Sequence, residues 1–272
     1  MSDKAGRSTG RAVVQTLESL ERAGITHLPK KRSRAARPAP GGQEISPAAV
    51  VRATEPEVTV SPAAAAIPTP QVRNLTRDER VAQLEIIRGE VAGCQRCGEL
   101  AATRCKTVFG SGTPQPRLVF MGEAPGADED RQGEPFVGRA GQLLTKIIEA
   151  CTLRREDVYI LNTLKCRPPE NRTPLPQEAA NCREFLDRQL AILQPEYICC
   201  LGAVAAQNLL GTTQTIGRLR GSLHAFQGFR VLCTYHPAYL LRNPAAKKDC
   251  WQDMQLLLRE MGIPLPSAGS QS

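Results

Sequence analysis

From about Asn74 onward, apolar runs alternate with stretches of helical spacing. The segment RDERVAQLEIIRGEVAG places Val81, Leu84, Ile87 and Val91 on one face of a predicted helix. Four short apolar runs follow: RLVFM at 117–121, DVYIL at 157–161, EYICCL at 196–201 and RVLCTY at 230–235. Helical patterns occupy 139–152, 176–193 and 202–210, with a last one near 244–261. Apolar runs alternating with helices predict an α/β fold, a mostly parallel sheet covered by helices on both faces. In such sheets ligands bind beyond the carboxyl ends of the strands, which directs attention to the segments that follow each run.

The first 75 residues have another texture. Val14, Leu17, Leu20 and Leu28 outline a short amphipathic helix within 1–28, a candidate docking segment for a protein partner. Residues 29–75 are rich in Pro, Ala and charge and predict a disordered linker, whose KKRSRAAR run is either a solvated tail or a contact for DNA phosphates. The folded domain is expected over 76–264, with a disordered tail at 265–272. The net charge of +8 divides unevenly, with 13 Lys/Arg against 8 Asp/Glu in residues 1–80 and 22 against 19 in residues 81–272. Most of the basic excess is therefore in the tail, and net charge alone does not establish a nucleic-acid surface. There is no apolar run long enough to span a membrane and no apolar block at the start, so the expected address is cytoplasmic. Ten cysteines in a reducing compartment imply metal ligands, buried small hydrophobes, or both.

Four segments hold candidate chemistry. GEAPGADEDRQGEPFVGRAGQLL at 122–144 follows the first run; its glycines permit close backbone approach, and it matches neither a dinucleotide fingerprint nor a Walker loop. Within it Phe136 is either a loop anchor or a stacking platform. Asn162 ends the second run, where an Asn ordinarily caps a turn; its amide also suits the edge of a base. HPAYLLRNPAAK at 236–247 is a helix start with a buried apolar face, or else a wedge beside a catalytic imidazole. In the second case Tyr239, Leu240 and Leu241 would meet a duplex and Arg242 its phosphate. Finally, the C-x-x-C of Cys94 and Cys97, together with Cys166 and Cys182 around a Pro-rich loop, offers four thiolates for zinc or an iron–sulfur cluster. Cys199, Cys200 and Cys233 lie inside strands and belong to the core, Cys151 and Cys250 sit in helices, and Cys105 is structural.

Taken together, C-x-x-C, VFGSG at 108–112, GEAPGADEDRQGEPFVGRAGQLL, NTLKCRPPENRTP at 162–174, Cys182 and TYHPAYLLRNPAAK resemble the family 4 uracil-DNA glycosylases. The resemblance spans roughly residues 80–261. It implies a three-layer α/β/α fold with a central four-stranded parallel sheet, and a monomer acting on uracil in single- or double-stranded DNA. It further implies a [4Fe–4S] cluster on Cys94, Cys97, Cys166 and Cys182. Phe136 would stack on the flipped uracil, Asn162 would read its polar edge and His236, neutral or protonated, would face its O2. Gly122 and Glu123 would line the pocket, with Glu123 helping to orient water. A related family carries a water-activating Asp directly after the position of Glu123; this chain has Ala124 there, which leaves the general base open. The loop CRPPENRTP holds no His of the kind that traps some superfamily members covalently on DNA, so ordinary turnover is expected.

Two readings from other classes compete. A non-catalytic DNA-binding module would lack Asn162 or His236, and both are present. A zinc or dithiol redox protein would leave the GEAPG and HPAYLLR segments without a role, and a brown protein would rule zinc out.

Overall fold

The structure, a computed structural model, describes residues 75–265. The predicted leading helix, the linker up to Asn74 and the tail after Leu265 lie outside the described residues. Leu75, assigned above to the linker, belongs to the described part and packs against the core.

In chain order the described elements are α1 (Arg77–Ala92), α2 (Gly98–Thr103), β1 (Ser111–Gly112), β2 (Leu118–Gly122), α3 (Ala127–Gln132), α4 (Arg139–Ala150), β3 (Tyr159–Asn162), α5 (Pro176–Leu193), β4 (Tyr197–Leu201), α6 (Ala203–Leu210), α7 (Ile216–Leu219), β5 (Leu223–Phe226), β6 (Phe229–Thr234), α8 (Pro237–Arg242) and α9 (Lys247–Glu260). They form a mixed sheet of six strands in the order β1-β3-β2-β4-β6-β5. The four central strands run parallel, as the alternation of runs and helices predicts. Two antiparallel edge strands escape the pattern: β1 on β3 and β5 on β6. With two residues, β1 is too short to show a period. The β5–β6 hairpin turns at Gln227 and Gly228, both at positive φ (48° and 88°), a mirror-image turn that suits the strand twist.

Alternation along the buried strands sorts their side chains onto two faces. Val119, Met121, Leu161, Ile198, Cys200 and Val231 pack under α1, α5 and α6 with Leu84, Ile87, Phe185 and Leu186. Leu118, Phe120, Ile160, Cys199 and Leu232 pack on the opposite side with Leu144, Ile148, Met254 and Leu257 from α4 and α9. The result is three layers with every position of β2, β3 and β4 buried. Cys199, Cys200 and Cys233 behave as core hydrophobes, and Cys151 and Cys250 are buried too, whereas Cys105 is exposed. No helix among the described residues is long and apolar enough to cross a membrane.

Helix α1 starts with a capping box: Glu79 N–H donates to the Thr76 hydroxyl at 3.3 Å, and Thr76 N–H donates to the Glu79 carboxylate at 2.7 Å. Its buried stripe contains Leu84, Ile87 and Val91 but not Val81, which is 43% exposed. Arg80 turns inward instead. Its guanidinium donates to the carbonyls of Ile192 and Leu193 (2.8 Å for Leu193) and to Gln194 Oε1 at 2.9 Å. The Ile192 and Leu193 carbonyls are among those left open at the C-terminal end of α5, where a cation is also favoured by the helix dipole.

At the other end of the domain Asp253 of α9 is 1% exposed. Its carboxylate accepts from the Thr234 hydroxyl at 2.7 Å and from Nε and Nη2 of Arg220, both at 3.1 Å. Burial pulls this carboxyl upward in pKa while Thr234 and Arg220 pull it down. The network pins the last residue of β6 two positions before His236. Removing the acid would strand a partly buried guanidinium. Asp253→Ala should therefore lower the unfolding free energy by about 3 kcal/mol in a urea titration. A change below about 1 kcal/mol would place the network in the class of weak surface pairs.

Candidate active site

The carboxyl ends of β2, β3 and β6 converge on one cavity of about 450 Å3, whose lining includes Glu123, Phe136, Asn162, His236, Tyr239 and Arg242. The convergence begins with strand register. Gly122 of β2 pairs with Asn162 of β3, so the two strand ends lie side by side. A Cβ on residue 122 would stand 2.3 Å from Asn162 Oδ1 and 2.6 Å from Phe136 Cζ. Only glycine leaves room there for the amide and the ring to approach the strand end together.

Phe136 is buried and has φ +54°, the left-handed region that costs a side-chain-bearing residue roughly 1–3 kcal/mol. Its surroundings hold it there. The Glu129 carboxylate accepts from Val137 N–H at 2.9 Å and Gly138 N–H at 3.0 Å. On the other side a Cβ at Gly141 would stand 1.8 Å from the Phe136 carbonyl oxygen. The ring faces His236 with a centroid separation of 5.6 Å and a 33° tilt.

His236 caps α8, with Pro237 in the first helical position, and its Nδ1 accepts from Ala238 N–H at 3.1 Å. With Nδ1 acting as acceptor, the neutral ring carries its proton on Nε2. Burial lowers its pKa to about 4; the nearby Arg242 charge adds to the fall and Glu129 opposes it. Glu123 is half-buried, and desolvation raises its carboxyl. Asn162 Oδ1 is buried and has no hydrogen-bond partner among the described residues. An acceptor, an aromatic face and an imidazole donor thus share one concave site.

Helix α8 forms the outer rim. Tyr239 and Leu241 are 39% and 38% exposed, and Tyr239 stacks on Tyr235 at 5.0 Å. Leu240, expected beside them on the surface, is instead 1% exposed. Helical geometry is the reason, since Pro237 and Leu240 lie three positions apart and share the inward face. The outward set is Tyr239, Leu241 and Arg242. The opposite rim contains Pro168, Asn171 and Arg172, from the loop after Cys166. Arg172 is already paired with Glu178 and Glu99, both at 2.7 Å.

Cys94, Cys97, Cys166 and Cys182 gather against one core cluster, the first two partly exposed and the others buried. Arg104 donates to Cys166 Sγ at 3.0 Å and to the Cys94 carbonyl at 2.7 Å, and Asn181 donates to Cys97 Sγ at 3.4 Å. Lys165 is 1% exposed; its Nζ donates to the Asn162 carbonyl at 3.0 Å, and the other charges bearing on it are Cys182 and Cys166. Burial pushes the Cys166 thiol up to about 11. A thiolate here needs a bound cation to stabilise it. Among the described residues no three His, Cys, Asp or Glu side chains converge on one ion position. The donor set is four thiols, with Arg104 and Asn181 directed at two of the sulfurs.

Sequence patterns did not single out Glu129, Lys165 or Arg155, whereas Gly141 is one of the glycines expected to permit close backbone approach. Glu129 sits in the run ADED, which has the look of a solvated acidic turn, and nothing local distinguishes it from its neighbours.

A sequence profile described as "Uracil DNA glycosylase superfamily" matches residues 109–255. A type-4 uracil-DNA glycosylase of Archaeoglobus fulgidus is 42% identical over 191 residues, covering 67% of this chain and 95% of that protein. One from Thermotoga maritima is 46% identical over 170 residues, 62% of this chain and 86% of that protein. A type-5 uracil-DNA glycosylase of Thermus thermophilus is more distant, 29% identical over 189 residues, 61% of this chain and 84% of that protein.

The Glu129 clamp is testable on the backbone itself. A hydrogen bond to a charged acceptor contributes about 1.5–3 kcal/mol. Glu129→Ala should accordingly speed hydrogen exchange at the Val137 and Gly138 amides by about 10- to 100-fold. Unchanged protection would mean that other contacts hold this loop.

Proposed function

Since the chain belongs to the uracil-DNA glycosylase superfamily and is a hydrolase of that kind, we propose that it takes uracil out of the DNA stack and hydrolyses its N-glycosidic bond. The products would be free uracil and an abasic site. One observation carries the reading: Asn162 Oδ1, unpartnered among the described residues, meets the Phe136 ring at Gly122, and that ring faces His236. A buried acceptor without a donor is costly unless a ligand supplies one. The N3–H of uracil is such a donor, the base plane would stack on Phe136, and O2 would meet Nε2–H of His236.

Cleavage places negative charge on the departing base and positive charge on the sugar. A neutral imidazole already oriented by Ala238 N–H supports the developing anion without reorganising. One such donor is worth roughly 3 kcal/mol in the transition state. Glu123 stands at the pocket wall, where it would orient water and support the oxocarbenium side; Ala124 offers no second carboxylate. Extracting the nucleotide from the stack costs a few kcal/mol. Contacts from Tyr239 and Leu241 and a phosphate on Arg242 would offset this; Arg242 makes no ion pair among the described residues.

We also propose that Cys94, Cys97, Cys166 and Cys182 hold a [4Fe–4S] cluster. Such a group would supply a rigid tie among the α1–α2 turn, the loop after β3 and α5. The chemistry at the sugar uses none of it. The main-chain carbonyl of Asn162 is braced from the same side by Lys165.

An oligonucleotide with a single uracil, treated with alkali after incubation, should be cut at that site and left intact when thymine replaces uracil. His236→Ala should lose about 10²- to 10³-fold, and Glu123→Gln should retain a sizeable fraction; comparable losses from both would defeat this ranking. The pH profile separates the two groups. His236 has its pKa lowered to about 4, so its neutral donor form is lost only as pH falls through that value, and the rate should show no inflection near 6.5. Glu123 is raised above the ordinary glutamate range, so a need for its carboxylate would bring an earlier acid limb that disappears in Glu123→Gln.

For the cysteines, purified protein should be brown and contain about four irons per chain, and Cys166→Ser should bleach it. Colourless protein with stoichiometric zinc would refute the cluster.

A further inference from the structure

We infer that Arg155 is a positioning residue that holds Phe136 in its left-handed conformation and so keeps the base platform in place. The inference rests on the reading of Phe136 as the surface on which uracil stacks.

Arg155 lies in the short turn between α4 and β3, away from the strand ends that build the pocket, and it is not among the residues lining the cavity. Its guanidinium nonetheless reaches the pocket loop. Nη2 donates to the Pro135 carbonyl at 2.6 Å and to the Phe136 carbonyl at 3.2 Å, while Nη1 donates to the Thr145 hydroxyl of α4 at 3.1 Å. No turn or loop amide among the described residues donates to either carbonyl. The guanidinium makes no ion pair among the described residues either, although burial disfavours its charge and Glu134 and Glu129 only partly compensate. A half-buried cation that spends its donors on two successive carbonyls and one helix hydroxyl has a geometric role rather than an ion-pairing one.

The location of those carbonyls supplies the function. Phe136 has φ +54°, a conformation that persists only where the surroundings over-determine it. Its carbonyl is held between the guanidinium and Gly141, at whose Cα a side chain would collide with that oxygen. Glu129 secures the following N–H groups at 137 and 138, so the 136–137 region is gripped by an acceptor on one side and a donor on the other. Without the donor, Phe136 is free to relax to negative φ, and such a rotation carries the ring away from Gly122 and from its 5.6 Å approach to His236. Lysine cannot replace this grip, because a single ammonium lacks the planar fork that serves carbonyls and hydroxyl together.

The test is a double-mutant cycle read by single-turnover excision from a single-stranded uracil oligonucleotide. Wild type, Arg155→Met, Phe136→Ala and the double variant are compared, with a urea titration of each. Arg155→Met is expected to slow excision by about 10- to 100-fold, the scale of a misplaced contact group. If Arg155 acts through the ring, the same change in the Phe136→Ala background should cost no more than about twofold. An equal loss in both backgrounds, or a wild-type rate for Arg155→Met, overturns the inference. Should Arg155→Met fail to fold, Arg155→Lys keeps the charge and the stem and carries the same cycle with the same criteria. Wild type that excises no uracil overturns the reading of the pocket, and the inference with it.

Discussion

Everything in the pocket depends on the missing side chain at residue 122. Strands β2 and β3 are paired so that Gly122 and Asn162 end together, and the ring of Phe136 occupies the volume a side chain at 122 would need. The contact brings an amide from one strand and a ring from a loop to the same point, although 26 residues separate Phe136 from Asn162 in the chain. A parallel sheet delivers such strand ends to one edge as a matter of topology. What topology does not deliver is the ring, which has to be held in a strained backbone conformation by groups from α3, α4 and the turn before β3.

Desolvation then sets the electrostatic character of the site. It lowers His236, raises Glu123 and leaves Asn162 Oδ1 without a partner. The first two effects favour the neutral forms of His236 and Glu123, and the third leaves an acceptor that suits a neutral donor. Under the proposed reaction, a donor fixed where charge develops would discriminate between ground and transition states, because it would gain strength as the base became anionic. The fixed orientation comes from Ala238 N–H, a backbone group that the start of α8 provides at no further conformational cost.

Rigid supports surround this polar centre. Asp253 holds Thr234 and Arg220, Arg220 lies over the Tyr235 ring at 5.3 Å, and Tyr235 stacks on Tyr239 of the exposed rim. On the far side of Asn162, Lys165 links its carbonyl to the region of Cys166 and Cys182. Both arms place a charged group inside the protein to fix backbone that the pocket uses. Buried charges of this kind are expensive, and their retention is understandable where they orient a site rather than add stability.

The alternation of strands and helices, the parallel centre of the sheet and the cysteines that pack as core are all legible in the apolar pattern of the chain. Apolar periodicity reports burial directly, and burial dominates the energetics of those elements. The sequence also placed Gly122, Asn162 and His236 at or just after strand ends, with Phe136 in the loop segment that follows the first. Three-dimensional packing was needed to show that Arg80, not Val81, faces inward, that Leu240 is core while Leu241 is surface, and that two short antiparallel strands close the sheet edges. It likewise revealed Glu129, Arg155 and Lys165. Each is a charged side chain whose position answers to particular carbonyls, amides or thiols from other segments. Hydrophobic patterning is silent about such partners, because directional hydrogen bonds depend on where distant chain segments meet and not on the period of the segment that bears the donor.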